Sequence, residues 1–268
     1  MFHSDLFLAF IVGIVEGITE FLPVSSTGHM LLADEILGFT GPPGKVFEIV
    51  IQPGAILAVC WVYRQRLFDA LRGIFSEPRQ QRFVANIVVA FLPSAIIGLI
   101  VYKYIKQLLL HPEVVAVAFI VGGIAILAAE RWRPAPRVRE VDDMRVGTAL
   151  GIGCFQLLAM IPGMSRAGST IIGALLLGVD RKPATEFSFF LAIPTIIGAA
   201  VLDMWKNRAE LSSGDFLVIA IGFVTSFVFA LIVVRTLVGF VSRHGFGVFA
   251  WYRIAAGILA LVLLLGLH

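Results

Sequence analysis

The run Glu16-Gly17-Ile18-Thr19-Glu20-Phe21-Leu22-Pro23-Val24-Ser25-Ser26-Thr27-Gly28-His29 places two carboxylates, a proline, four hydroxyls and an imidazole inside an otherwise apolar segment, residues 6–33. Glu16 and Glu20 are one helical turn apart and share a face. Like charges at that spacing weaken a helix even in water, and ionisable groups within a bilayer are costly and tend to be functional. Pro23 and the hydroxyls behind it stop a helix. The segment therefore reads as a half-helix, a break and a second half-helix.

Residues 146–179 have the same shape, with Arg166 as the only charge before Asp180. As a helix they would reach about 50 Å, too long for one crossing of a core about 30 Å thick and too short for two. Pro162-Gly163-Met164-Ser165 breaks them near the middle. Irregular backbone at membrane depth is tolerated only inside protein or beside a wet cavity. Each break thus implies a polar site.

Composition supports a membrane setting. Over 268 residues, 59% are hydrophobic and 15% charged, with a mean hydropathy of +0.94, against about 45–50% and 25% in soluble domains. A cytosolic globular enzyme and a disordered chain are excluded, and two cysteines make no disulfide scaffold. Cys60 and Cys154 sit in apolar stretches and are expected as free buried thiols. Asp5, rather than a basic cluster, precedes the first apolar run, so no cleavable signal peptide is expected.

Six stretches suit single crossings: 46–63, 83–102, 114–129, 187–202, 216–234 and 246–267. The expected fold is an all-α polytopic membrane protein with six transmembrane helices and two re-entrant helical hairpins. Pro23 and Ser26 match Pro162 and Ser165 at an offset of 139 residues. Each hairpin precedes a Phe-led span containing proline, Phe47 with Pro53 and Phe187 with Pro194, and Ser94 pairs with Ser226. This describes a single membrane domain, with repeat one at 1–130, a linker at 131–146 and repeat two at 147–268. A hairpin returns to its own side and three spans do not, so the repeats have inverted topology.

With both termini outside, the inner side collects Arg64, Arg66, Arg72, Arg79, Arg82, the five arginines of the linker, Arg181, Lys182, Arg235 and Arg243. The outer side holds only Lys45, Lys103, Lys106, Lys206 and Arg208. Cytoplasmic loops carry such an excess of basic residues.

Glu16 and Glu20 suit a metal-ligand pair, a base, or a partner for arginine. Ser25, Ser26 and Thr27 open the second half-helix, where they can cap free amides or help those amides bind an anion. His29 stands one turn beyond Ser26. In the second break, Arg166 offers a fork matched to phosphate oxygens, and Ser165, Ser169 and Thr170 add donors. A salt bridge from Arg166 to Glu16 or Glu20 is the plain structural alternative. Two half-helix N-termini meeting near the midplane would form an electropositive cradle. Mg²⁺ or Ca²⁺, bridging the carboxylates to phosphate oxygens, would suit a diphosphate carried on an apolar group.

These two motifs, the long Glu16–His29 run and Pro162-Gly163-Met164-Ser165-Arg166, resemble the undecaprenyl-diphosphate phosphatase family associated with bacitracin resistance. The likeness covers essentially the whole chain. The second motif departs at Ala167, where the family usually has serine, so a hydroxyl there is not essential.

The resemblance implies hydrolysis of undecaprenyl diphosphate to the monophosphate at the outer face of the bacterial plasma (inner) membrane. That reaction recycles the carrier for cell-wall synthesis with the help of a divalent cation. Carried over by position, Glu16, Glu20, Ser26, His29 and Arg166 are catalytic, with Glu16 and Glu20 holding the metal. Ser25, Thr27, Ser165, Ser169 and Thr170 bind substrate. The expected partners are the polyprenyl diphosphate and membrane lipid, with a homodimer left open and no nucleic acid. A secondary transporter or lipid flippase for an anionic substrate shares the architecture and is the rival reading. A scaffold whose polar groups only join helices is the weaker one.

Overall fold

A computed structural model describes residues 2–37, 46–108, 111–206 and 216–266. They form α1 (Phe2–Thr19), α2 (Ser26–Leu37), α3 (Val46–Val62), α4 (Arg64–Gly73), α5 (Pro78–Leu108), α6 (Pro112–Trp132), α7 (Val146–Gln156), α8 (Arg166–Leu176), α9 (Arg181–Lys206), α10 (Phe216–His244) and α11 (Gly247–Gly266). Helices α5, α6, α9, α10 and α11 are long and apolar enough to cross a membrane. The apolar helix α3 is shorter, and α4 turns off from it by 77°; counted together, the bent pair brings the number of membrane-length apolar segments to six. The protein is an all-α polytopic membrane protein, as its hydropathy requires.

Both expected breaks are present. The first hairpin is α1 and α2, interrupted over residues 20–25; the second is α7 and α8, with a 3-10 turn at Leu157–Met160 and a break at residues 161–165. Ser25 and Ser165 each adopt φ 72°, a left-handed conformation that costs a non-glycine residue about 1–3 kcal/mol and is typical of functional sites. Each then begins a helix, with Ser25 O accepting from His29 N and Ser165 O from Ser169 N.

The matching serine pair is therefore Ser25 and Ser165, and the repeat offset is 140 rather than 139. The second break has an extra residue between its proline and its strained serine, and Gly163 at φ 92° accommodates it. The 140 offset also pairs Gly13 with Gly153. A methyl on Gly13 would lie 2.7 Å from the Gly222 carbonyl, and one on Gly153 would lie 2.2 Å from the Ala90 carbonyl. Glycine at these points lets backbones approach closely.

Packing follows an exchange of halves. Helix α1 packs on α10, and α7 on α5; α3 packs on α10, and α9 on α5. The pairs α6 with α11 and α3 with α9 join the two halves. Each hairpin is thus held mainly by helices of the other half, which brings the two breaks together.

The arginine-rich segments lie on one face. Arg66 and Arg79 both clasp Asp142, the latter at 2.6 Å, and Arg181 meets Glu130 at 2.7 Å. The linker is thereby pinned beside the starts of α5 and α9. Asp142, although it lies in a charged linker, is only 15% exposed between two guanidiniums. The arginine-bearing loop after α3 is largely helix α4, which exposes Phe68 and Leu71, the composition of a helix lying in the interfacial plane. Lys45 and Arg208 fall outside the described residues. Both thiols are free, but Cys154 is exposed and Cys60 only half-buried, because each lies toward the outside of its helix.

Candidate active site

The two breaks meet at Glu20. Its carboxylate accepts a hydrogen bond from Ser26 Oγ at 2.5 Å on one oxygen and from Arg166 Nη2 at 2.9 Å on the other. Ser26 is the first residue of α2 and Arg166 the first of α8, so the repeat offset makes them structural equivalents. The nucleophile-type residue and the guanidinium occupy the same place in opposite halves. Of the two expected salt bridges to Arg166, the one to Glu20 forms, and it is almost wholly enclosed, with side-chain exposures of 11% and 6%.

Arg166 is held on its far side as well. Its Nη1 donates to the Ser188 carbonyl at 2.9 Å and to Ser188 Oγ at 3.1 Å, while Thr170 Oγ1 donates to Ser188 Oγ at 2.8 Å. Arg166 Nε is buried and has no partner. Ser188 was not identified from the sequence, where it is a lone hydroxyl in Phe187-Ser188-Phe189. The 140 offset equates it with Glu48, which gives a faint signal once that frame is known.

A cavity of about 510 Å³ opens from this cluster. Glu20, Ser25, Ser26, Thr27, Ser165 and Arg166 line its catalytic end, and Gln52, Ser94, Gln156 and Thr195 continue it between α5 and α9. Gln156 Nε2 donates to Ser94 Oγ at 2.7 Å. Gln52 on α3 lines the cavity, while Glu48, one turn before it, does not.

Four site residues expected from the sequence lie elsewhere. Ser169 is fully buried, and its hydroxyl donates to Ser165 O at 2.8 Å. Thr170 supports Ser188 and does not reach the cavity. His29 sits one turn from Ser26, but its ring faces away. Nδ1 lies 2.7 Å from Ser25 O and Nε2 2.6 Å from the Tyr252 hydroxyl, and the imidazole stacks on Tyr252. Position on the helix placed it near Ser26; rotation about the helix axis aims it at α11.

Glu16 is wholly buried behind the cavity wall, beside Glu20, Ser26 and Arg166, and both its oxygens lack a hydrogen-bond partner. Its repeat equivalent, Gln156, is satisfied by Ser94. Ser226, the equivalent of Ser94, is likewise buried without a partner. Orphaned carboxylate oxygens beside a second carboxylate are the hard donors that Mg²⁺ or Ca²⁺ takes, so these residues fit such an ion. No cluster of three or more His, Cys, Asp or Glu gathers among the described residues.

Arg253, unassigned from the sequence, ties the site together. Fully buried on α11, it donates to the Pro23 carbonyl of the first break at 3.1 Å and to the Gly163 and Met164 carbonyls of the second at 2.7 and 3.0 Å. It also reaches the Ala118 and Phe119 carbonyls of α6. A methyl on Gly122 would lie 2.1 Å from its Nη2, so glycine there makes room for it.

Fold and site define a multi-pass membrane protein with a serine–carboxylate–guanidinium cluster enclosed between two interrupted hairpins. Residues 9–259 match the family described as Bacitracin resistance protein BacA, and the chain belongs to that family. It is 56% identical over 257 residues to undecaprenyl-diphosphatase 2 of Paramagnetospirillum magneticum, covering 96% of this chain and 98% of that one. It is also 56% identical to undecaprenyl-diphosphatase of Nitrosospira multiformis, covering 94% and 92%, and 51% identical to that of Pseudomonas paraeruginosa, covering 95% and 92%.

Proposed function

We propose that the protein hydrolyses undecaprenyl diphosphate to undecaprenyl phosphate and inorganic phosphate, recycling the lipid carrier for cell-wall synthesis. The observation that carries this reading is the enclosed chain Ser26–Glu20–Arg166 at the end of a largely apolar cavity. Arg166 holds the terminal phosphate through its fork, with Ser165 and Thr27 beside it. Ser26 Oγ attacks the terminal phosphorus in line while its proton passes to Glu20. The bond from that phosphorus to the bridging oxygen breaks, and the lipid monophosphate leaves. Glu20, not His29, is the base, because Glu20 alone of the two touches the hydroxyl. Glu20 hands that proton to the departing lipid phosphate; water then attacks the phosphoserine and gives a proton to Glu20, which returns it to Ser26 Oγ as the phosphorus–serine bond breaks and phosphate leaves. Mg²⁺ or Ca²⁺ at Glu16 and Glu20 would neutralise diphosphate charge.

The site faces outward on this reading. Helices α5 and α9 start at the arginine-rich face, and the cavity runs along them from Ser26 toward Tyr102 and Asp203 near their far ends. With arginines on the cytoplasmic side of a bacterial plasma membrane, that direction is outward.

The test is phosphate release from undecaprenyl diphosphate by purified protein with Mg²⁺ or Ca²⁺. A transporter or scaffold would release none. Arg166→Lys should keep the fold yet lose about a hundredfold or more in kcat, because a point charge cannot replace the fork that grips the transferring group. Near-normal turnover in this variant would remove Arg166 from the reaction.

A further inference from the structure

Beyond its catalytic end, the cavity is walled by single faces of two helices. Phe91, Ser94, Gly98 and Tyr102 occupy successive turns of α5, and Thr195 and Gly198 occupy one turn of α9. Glycine is among the poorest helix formers, so each mid-helix glycine needs a reason. At Gly54 and Gly153 the reason is packing: a methyl would lie 2.4 Å from the Phe223 carbonyl and 2.2 Å from the Ala90 carbonyl. Gly98 and Gly198 differ. A methyl on Gly98 would find only Met160 Cε, at 3.5 Å, and one on Gly198 would touch only the Phe91 ring, at 3.5 Å. Those are ordinary contact distances, and nothing in the protein's own packing excludes a side chain. What a side chain would take up is cavity space.

Gly198 is exposed, as is Leu99, at 63%, so this part of the cavity opens sideways between α5 and α9 toward lipid. Its volume of about 510 Å³ is that of a small-molecule pocket. It has room for a diphosphate and the first isoprene units, but not for a whole undecaprenyl chain.

We propose that Gly98 and Gly198 set the bore of a prenyl corridor, in which the first isoprene units pass between α5 and α9 while the diphosphate rests at Ser26 and Arg166. This rests on the phosphatase reading and adds where substrate specificity resides. The two glycines face Met160 and Phe91, so bulk added at either position closes the corridor without touching the catalytic cluster.

Gly98→Leu and Gly198→Leu test it through kcat/KM for two substrates. For undecaprenyl diphosphate it should fall about tenfold or more, the scale on which a few misplaced methylenes alter fit in an apolar pocket. For methyl diphosphate, which has no isoprene unit to place in the corridor, it should stay near the wild-type value. Equal losses on both substrates, or no loss on the long one, would overturn the proposal.

A second measurement needs no turnover. With Cys60→Ser and Cys154→Ser as background, Gly198→Cys is labelled with a maleimide in detergent. Undecaprenyl phosphate should slow the labelling, inorganic phosphate should not, and Leu217→Cys on the outer face of α10 should respond to neither. Labelling unaffected by the lipid would also overturn the corridor. Lipid protection in a protein that releases no phosphate would instead leave the corridor standing and remove the phosphatase reading.

Discussion

Glu20→Gln should leave a folded protein that turns over undecaprenyl diphosphate about 10²–10⁴-fold more slowly, the range expected when a positioned general base is lost. The amide oxygen can still accept from Ser26 or from Arg166, so the geometry largely survives. It cannot take the serine proton, and it leaves the enclosed Arg166 without the charge that now lies 2.9 Å away. Glu20→Asp keeps the charge but withdraws it by one methylene, and should cost about a hundredfold through misplacement alone. His29→Ala should cost less than either, since the imidazole bonds to Ser25 O and Tyr252 and not to Ser26. Phosphate-release rates measured alongside thermal unfolding in detergent decide the matter. If His29→Ala were the most damaging of the three, with Tm unchanged, the base would be misassigned.

Arg253→Met should prevent the protein from folding. The guanidinium serves three carbonyls at the two breaks and two on α6, all out of reach of water. Each buried polar group left without a partner costs about 1–3 kcal/mol, so losing several is comparable to the whole stability of a domain, about 5–15 kcal/mol. Arg253→Lys has three donors for five acceptors and should survive with a Tm several degrees lower and reduced turnover. Folded yield by size-exclusion chromatography, Tm and phosphate release together distinguish the two variants. An Arg253→Met protein with normal Tm would show that the breaks hold each other without this clamp.

Much of this architecture is legible in the chain. Proline with hydroxyls inside apolar segments too polar or too long for one crossing marks both hairpins, and the arginine distribution orders the spans. Glu20, Ser26 and Arg166 stand out because ionisable groups at membrane depth need a reason. Periodicity shows less about rotation: His29 and Ser26 share a turn, yet one faces α11 and the other the cavity. The offset of 139 follows from matching prolines, whereas the backbone matches strained serines, and one added residue at Gly163 separates the two frames.

Arg253 carried a usable signal as the lone charge in the last span, but its partners are main-chain carbonyls, which have no sequence signature. Ser188 and Tyr252 act through tertiary contacts alone. Asp142 looks solvated in a charged loop until the fold brings Arg66 and Arg79 to it from distant positions.

The most direct measurement is rapid acid quenching of the purified protein during turnover of undecaprenyl diphosphate labelled in its terminal phosphate, followed by peptide mapping. Labelled phosphate should appear on Ser26 in the pre-steady state, decay as inorganic phosphate accumulates, and be absent from Ser26→Ala, which should not turn over. Full turnover by Ser26→Ala, or a covalent label on any other residue, would contradict attack by Ser26 on the phosphate that Arg166 holds.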